Sequence, residues 1–195
     1  MPMVDELLKN TGLSVNDIDA VAVNAGPGSF TGVRIGVAAV KGIAFPKNLP
    51  CVSVSTLECM AYNMLGNDCI VCSVMDARCS QVYNALFRVK GCTVTRMTDD
   101  RALSLTDLKN ELQNINEKVV LVGDGAVLCS KFLGEELENI MLAPFNNRIQ
   151  TASSVVYAAF EKINNGETVK ADELMPVYLR LPQAQRELNK KLGVK

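Results

Sequence analysis

The sequence predicts a mixed α/β fold built from two related lobes, and three observations support it. Each half of the chain runs strand, glycine turn, helix, strand, helix, beginning at AVAVNAGPGSF in the first half and VVLVGDGAVL in the second. The leading strands, within residues 17–26 and 119–126, are small, apolar and barely alternating, as strands covered on both faces are. An antiparallel meander precedes this unit only in the second half, so the first lobe is expected to lack its opening strands. The expected division is a first lobe over residues 1–67, a second over 68–182 and a basic tail over 183–195.

Each element has a local reason. Residues 2–10 read as a helix with Met3, Val4, Leu7 and Leu8 on one stripe, stopped by Gly12. After the strand and glycine turn, a helix is expected from Thr31 to Phe45, where Pro46 prevents continuation. CVSVS, residues 51–55, is a strand, and Thr56 is the expected cap of a helix reaching Leu65. Asn67 and Asp68 mark a boundary. IVCSVMDA, QVYNALFRVKG and TVTRM form the meander, with turns at 78–80 and 90–91. A helix follows at 105–115, then the strand at 119–126, a helix near 127–138 and a strand at NIMLAPF. Residues 153–166 form a last helix ended by Gly166, and the segment from Pro176 is extended, then basic.

Composition excludes several functions. Net charge is −1 and no basic face is evident outside the tail, so no field holds a polyanion unaided. The chain contains no histidine, which removes every Ser-His or Cys-His dyad and every HExxH zinc helix. Seven scattered cysteines, several in apolar runs, suit reduced buried thiols of a cytoplasmic protein better than a disulfide framework. Cys69 and Cys72 form a C-x-x-C, but strand alternation sends them to opposite faces. No signal peptide is expected at MPMVDELLKN, and the apolar stretch 33–45 is too short for a membrane span and is interrupted by Arg34 and Lys41. Asp76 at the predicted hairpin turn and Asp124 in VGDGA read as backbone-bonding and helix-capping carboxylates rather than metal ligands. No catalytic residue and no metal ligand is assigned.

The stretch NAGPGSFTGVRIG, residues 24–36, is the informative one. It fits neither the Walker pattern, since no Gly-Lys-Ser/Thr exists, nor G-x-G-x-x-G, since Thr31 fills the third glycine slot. A strand–turn–helix could still hold an anion on Gly26, Gly28, Ser29, Thr31 and Gly32. Alternatively, Gly32, Gly36, Ala39 and Gly42 recur at helical spacing and make a stripe for close packing. Interior helix glycine costs about 0.5–1 kcal/mol against alanine, so a contact must compensate. The residues leave both readings open and favour packing.

These residues also resemble a known family. Gly26 through Gly36, followed by Lys41 and Gly42, is similar to the signature of the TsaB (YeaZ) family, G-P-G-S-F-T-G-[LV]-R-[IV]-G with a downstream lysine-glycine pair. MDARCSQVY resembles the family's D-A-R hairpin, LVGDGA its second-lobe turn and PVYLR its C-terminal signature, in the same order along the chain. The resemblance implies an actin/Hsp70-like (ASKHA, ribonuclease H-like) duplicated fold. It also implies a non-catalytic subunit supporting a TsaD-type catalytic subunit and a small ATPase in forming N6-threonylcarbamoyladenosine in tRNA. ATP is then used by the complex with no cofactor held tightly here, tRNA is met only indirectly, and the chain alone forms a homodimer. Family members begin further upstream, with a strand carrying D-T-S and a hairpin, so the chain is expected to be a truncated form or to cover its open sheet edge by association. The resemblance further places the partner or dimer interface on the first two helices, at Met3, Leu7, Gly32, Arg34, Gly36, Ala39, Val40 and Ile43. A bulky residue at Gly36 is expected to block assembly. The competing reading is an autonomous ATPase or phosphotransferase with Gly26–Gly32 and Gly123–Gly125 as opposed phosphate turns; a peptidase lacks a discernible nucleophile and base.

Overall fold

Ser and Thr hydroxyl caps start four of the helices, and apolar runs supply the strands between them. A computed structural model of the chain describes residues 1–134 and 137–180. The expected tail at 183–195, with Arg186, Lys190, Lys191 and Lys195, lies outside the described residues.

Helix α1 (Pro2–Thr11) ends on Gly12 in the left-handed region, φ 70°. Strand β1 (Val21–Gly26) leads into α2 (Phe30–Ala44), which Ser29 caps by accepting from the Gly32 amide. A short 3₁₀ turn at Phe45–Lys47 follows, then β2 (Cys51–Ser55) and α3 (Thr56–Tyr62). The α3 cap is Ser55, whose hydroxyl accepts from the Glu58 amide; Thr56, the expected cap, is already the first helical residue and is buried. Strands β3 (Asp68–Asp76), β4 (Gln81–Lys90) and β5 (Thr93–Arg96) form the meander, with Arg78, Cys79 and Ser80 all at positive φ in the first turn. β6 (Arg101–Ser104), which the sequence did not suggest, pairs with the start of β4. Then come α4 (Leu105–Leu112), β7 (Val119–Val122), α5 (Ala126–Leu133), β8 (Ile140–Leu142), the unpredicted single turn α6 (Phe145–Arg148) and α7 (Ala152–Asn164).

The larger sheet has the order β5-β4-β3-β7-β8, antiparallel on one side and parallel on the other, with β6 also on β4. β1 and β2 form a separate parallel pair. The crossovers β1–α2–β2 and β7–α5–β8 are therefore the same unit used twice. β7 has β3 along its other edge, whereas among the described residues β1 has only β2.

Helices cover both faces of the larger sheet. Leu105, Leu108, Leu112, Cys129 and Leu133 pack on Ile70, Cys72, Val74 and Leu121. Leu57 and Met60 of α3, with Met64 just after it, pack on Val71, Phe87 and Val122 opposite. Cys69 and Cys72 lie in different layers, as alternation requires. The smaller sheet sits between α2 and α7. Val37, Val40 and Ala44 meet Val21 and Val23 on one face, while Ala158 and Ala159 meet Val52 and Val54 on the other. The boundary at 67/68 thus separates the sheets, but the chain from α7 onward returns to the first lobe. Ala171 and Leu174 complete its core, and Val169 bridges to Cys51. Residues 68–182 are therefore not one contiguous lobe. One face of β1 and β2 is covered by α2, and the other by α7 together with Cys59 and Tyr62 of α3.

Burial sets the alkaline behaviour. It pushes the Tyr62 phenol up to about 12 and the Cys129 thiol up to about 11, and raises Cys72 well above the ordinary thiol range. The unfolded chain loses these protons first, so it binds fewer protons than the native state between the ordinary values and the raised ones. Stability is then expected to fall from about pH 9 to about pH 12 and to lack any histidine-linked step between pH 6 and 8. Urea midpoints measured across that range check it, and a midpoint that rises above pH 9 would contradict it.

Candidate functional site

The glycine turn is a packing joint on both of its sides. Gly26 has φ +126°, and a Cβ there would overlap the Val177 carbonyl oxygen, while the Val177 amide donates to the Ala25 carbonyl at 2.8 Å. The extended segment around Val177 thus lies directly on the turn. Gly28 would bring a Cβ 3.1 Å from Val33 Cγ2. The Ser29 hydroxyl and carbonyl take the Gly32 and Val33 amides at 3.3 and 2.9 Å, so the cap consumes donors that an anion would need. Thr31 points outward and is exposed.

A cavity of about 250 Å³ beside the turn is lined by Asn24, Gly28, Ser29, Gly32, Thr56 and Met75, among others, none of them cationic. Ligand sites usually occupy about 300–1,000 Å³, and a triphosphate calls for positive charge. The second glycine turn is also internally engaged. The Gly123 amide donates to Arg148 O at 2.6 Å and the Gly125 amide to Val74 O at 3.2 Å. A Cβ on Gly123 would overlap the Val74 carbonyl, and one on Gly125 would lie 3.0 Å from the Asp76 nitrogen. These glycines let the turn seat on β3, and the Gly32, Val33, Gly123 and Gly125 amides are all taken by acceptors within the chain rather than offered to a phosphate.

Asp76, Asp124 and the buried Cys59 are engaged within the chain. Asp76 accepts from the Arg78 amide at 2.7 Å, the backbone bond expected of it. Asp124 does not cap α5, whose cap is Gly125; its Oδ1 accepts from the Asp76 amide at 3.2 Å and ties the two turns together. Among the described residues no three metal-ligating side chains cluster. Cys59 is buried beside the Ser154 hydroxyl at 3.4 Å, and burial raises its thiol, the reverse of what a nucleophile needs.

The C-terminal signature closes this region. Phe30 and Tyr178 stack with ring centroids 5.0 Å apart, Arg34 Nε donates to Tyr178 Oη at 2.7 Å, and Arg180 Nη1 donates to Ala77 O at 2.9 Å. Three motifs far apart in sequence meet here: the glycine turn, the D-A-R hairpin and PVYLR.

The second feature is the outer side of α2. Thr31, Ile35, Ala38, Gly42 and Phe45 are all exposed on one stripe, with Ile35 at 64% and Phe45 at 69% of full exposure. On the opposite side Val37, Val40 and Ala44 are buried against β1. This corrects the predicted interface: Val40 belongs to the first-lobe core and offers nothing to a partner. Gly36 also looks inward, with an added Cβ 3.4 Å from Val23 Cγ2. Gly32, Arg34 and, partly, Ala39 and Ile43 remain at the surface, and Ile35, Ala38 and Phe45 join them. Helix α1 buries none of its residues; Met3 is 83% and Leu7 62% exposed. An added Cβ at Gly42 meets nothing within 4 Å among the described residues, so their packing does not require glycine there. Gly42→Ala is accordingly expected to stabilise the isolated chain by about 0.5–1 kcal/mol, read from urea denaturation; a loss of stability would mean that α2 needs this glycine for itself.

Comparison with known proteins places these features in a family. The profile of the tRNA N6-adenosine threonylcarbamoyltransferase (TsaD) family matches residues 1–188. The tRNA threonylcarbamoyladenosine biosynthesis protein TsaB of Bacillus subtilis is 31% identical over 188 residues, covering 95% of this chain and 80% of that one. Its Escherichia coli counterpart is 32% identical over 191 residues, covering 96% and 82%. YeaZ from Pseudomonas aeruginosa superposes with a TM-score of 0.76 at 25% identity over 91% of this chain and 81% of that one. A second solved structure from that organism, described as an uncharacterized protein with similarity to peptidase YEAZ, gives 0.75 at 26%, covering 92% and 82%. Among the described residues no helix is long and apolar enough to cross a membrane.

Proposed function

Because this chain belongs to the TsaB (YeaZ) family, we propose that it is the accessory subunit of the assembly that makes N6-threonylcarbamoyladenosine in tRNA. Its fold is of the actin/Hsp70-like, ribonuclease H-like α/β class. In this reading it acts as a scaffold for a TsaD-type catalytic subunit and works alongside a small ATPase. It performs no transfer and no peptide hydrolysis itself. ATP is consumed by the assembly rather than here, tRNA is reached only through the complex, and the site of action is the cytoplasm. Alone, the chain pairs with a second copy through the same face.

The observation that carries the proposal is the outer face of α2. Its exposed Ile35 and Phe45 flank small residues, and Gly42 stands where no neighbour among the described residues would meet a side chain. Exposed apolar surface of this kind marks an interaction site, and small residues let a second helix approach closely. The engaged amides of both glycine turns support scaffold over ATPase. The test is light scattering after size exclusion on the chain alone and mixed with the TsaD-type protein from the same genome. A stable mixed complex is expected, together with no ATP·Mg²⁺ binding to the isolated chain by calorimetry. Absence of a complex from a folded chain would refute the scaffold reading, and micromolar ATP affinity would favour the ATPase.

A further inference from the structure

The face of α2 carries one cation that is held in place rather than free to wander. The Arg34 guanidinium carbon lies 3.9 Å from the Phe30 ring centroid and 5.7 Å from that of Tyr178, and its Nε is committed to Tyr178 Oη. Its terminal nitrogens have no hydrogen-bond or ion-pair partner among the described residues. Lys41, one helical stripe along, is instead engaged with the Asp172 carbonyl at 3.1 Å, and Lys47 with the Val15 carbonyl at 3.3 Å. An exposed ion pair usually gains little because ordering a long side chain offsets the attraction. Stacking has already ordered this one.

We infer that the free end of the Arg34 guanidinium receives a carboxylate from an acidic side chain of the TsaD-type partner, docked along the stripe Ile35–Ala38–Gly42; this rests on the scaffold reading above. The two terminal nitrogens form a planar fork that matches a carboxylate in two parallel hydrogen bonds. Arg34 is next to exposed apolar Ile35 at one end of the stripe, so docking strips water from it, and an unmatched charge there would oppose association. A surface that binds nucleic-acid phosphates gathers several cations, whereas α2 contributes one uncommitted cation at this face.

The test compares complex formation with the TsaD-type protein for the wild-type chain, Arg34→Gln, Arg34→Lys and Tyr178→Phe, by calorimetry at two salt concentrations. Arg34→Gln is expected to weaken binding by tenfold or more at low salt, with the gap narrowing as salt rises. Arg34→Lys keeps the charge but not the fork and falls between. Tyr178→Phe removes only the internal acceptor and is expected to stay within about threefold of wild type. Equal, salt-insensitive losses for Arg34→Gln and Tyr178→Phe would show that Arg34 merely pins the C-terminal segment and would overturn the inference. So would Arg34→Gln binding like wild type. A wild-type chain that forms no complex overturns the scaffold reading and this one with it.

Discussion

Gly123→Ala is expected to lower the stability of the chain by about 2–5 kcal/mol, more than any other single methyl group added to a glycine turn here. Two effects act together. At φ +107° any L side chain is strained, by about 1–2 kcal/mol. The new methyl also overlaps the Val74 carbonyl oxygen, at the buried end of β3, and this oxygen already accepts the Gly125 amide at 3.2 Å. Moving it disturbs a β-strand in the middle of the larger sheet, and Met60 Cε, 3.3 Å from the same point, would have to give way as well. Gly166→Ala is the control. Its φ is +74° and its Cβ would meet nothing within 4 Å, so only the backbone strain applies. Urea midpoints of the two variants separate the contributions, and a Gly123→Ala protein no less stable than Gly166→Ala would refute the close-approach argument.

Ala38→Arg is expected to weaken association with the TsaD-type subunit more than a hundredfold while changing the stability of the isolated chain by no more than about 0.5 kcal/mol. Ala38 stands at the middle of the outward stripe of α2 and is exposed. A long charged side chain there is free in the isolated chain but holds a docking helix away and opposes desolvation. Gly36→Leu, the substitution that the sequence alone suggests, is the poorer test. Its side chain would press on Val23 of β1, so lost assembly would be confounded with a damaged first lobe. An Ala38→Arg chain that still associates with wild-type affinity would remove α2 from the interface.

Much of this molecule is legible residue by residue because the responsible interactions are short-range. Gly12 and Gly166 stop helices through their own left-handed backbone, Ser29 starts one by bonding an amide three residues away, and DARCS turns through the Asp76 carboxylate. The one-residue error at Ser55 and Thr56 arises because either hydroxyl has the right chemistry and only the strand end decides between them. β6 and α6 escape notice because four residues hold too little periodicity to register.

The sequence by itself determined the α/β class, the strand–turn–helix unit used twice, and the absence of imidazole chemistry. These depend on composition, on capping chemistry and on apolar runs that any fold must bury. Only the tertiary structure decided which side of α2 faces out, because that helix is small and apolar nearly all round and its phase is set by Val37, Val40 and Ala44 packing on β1. It alone brought Tyr178 to Arg34 across 144 residues and returned α7 to cover the first sheet. Such contacts reflect where the chain ends must lie once two sheets have each to be covered on both faces, and no local pattern encodes that requirement.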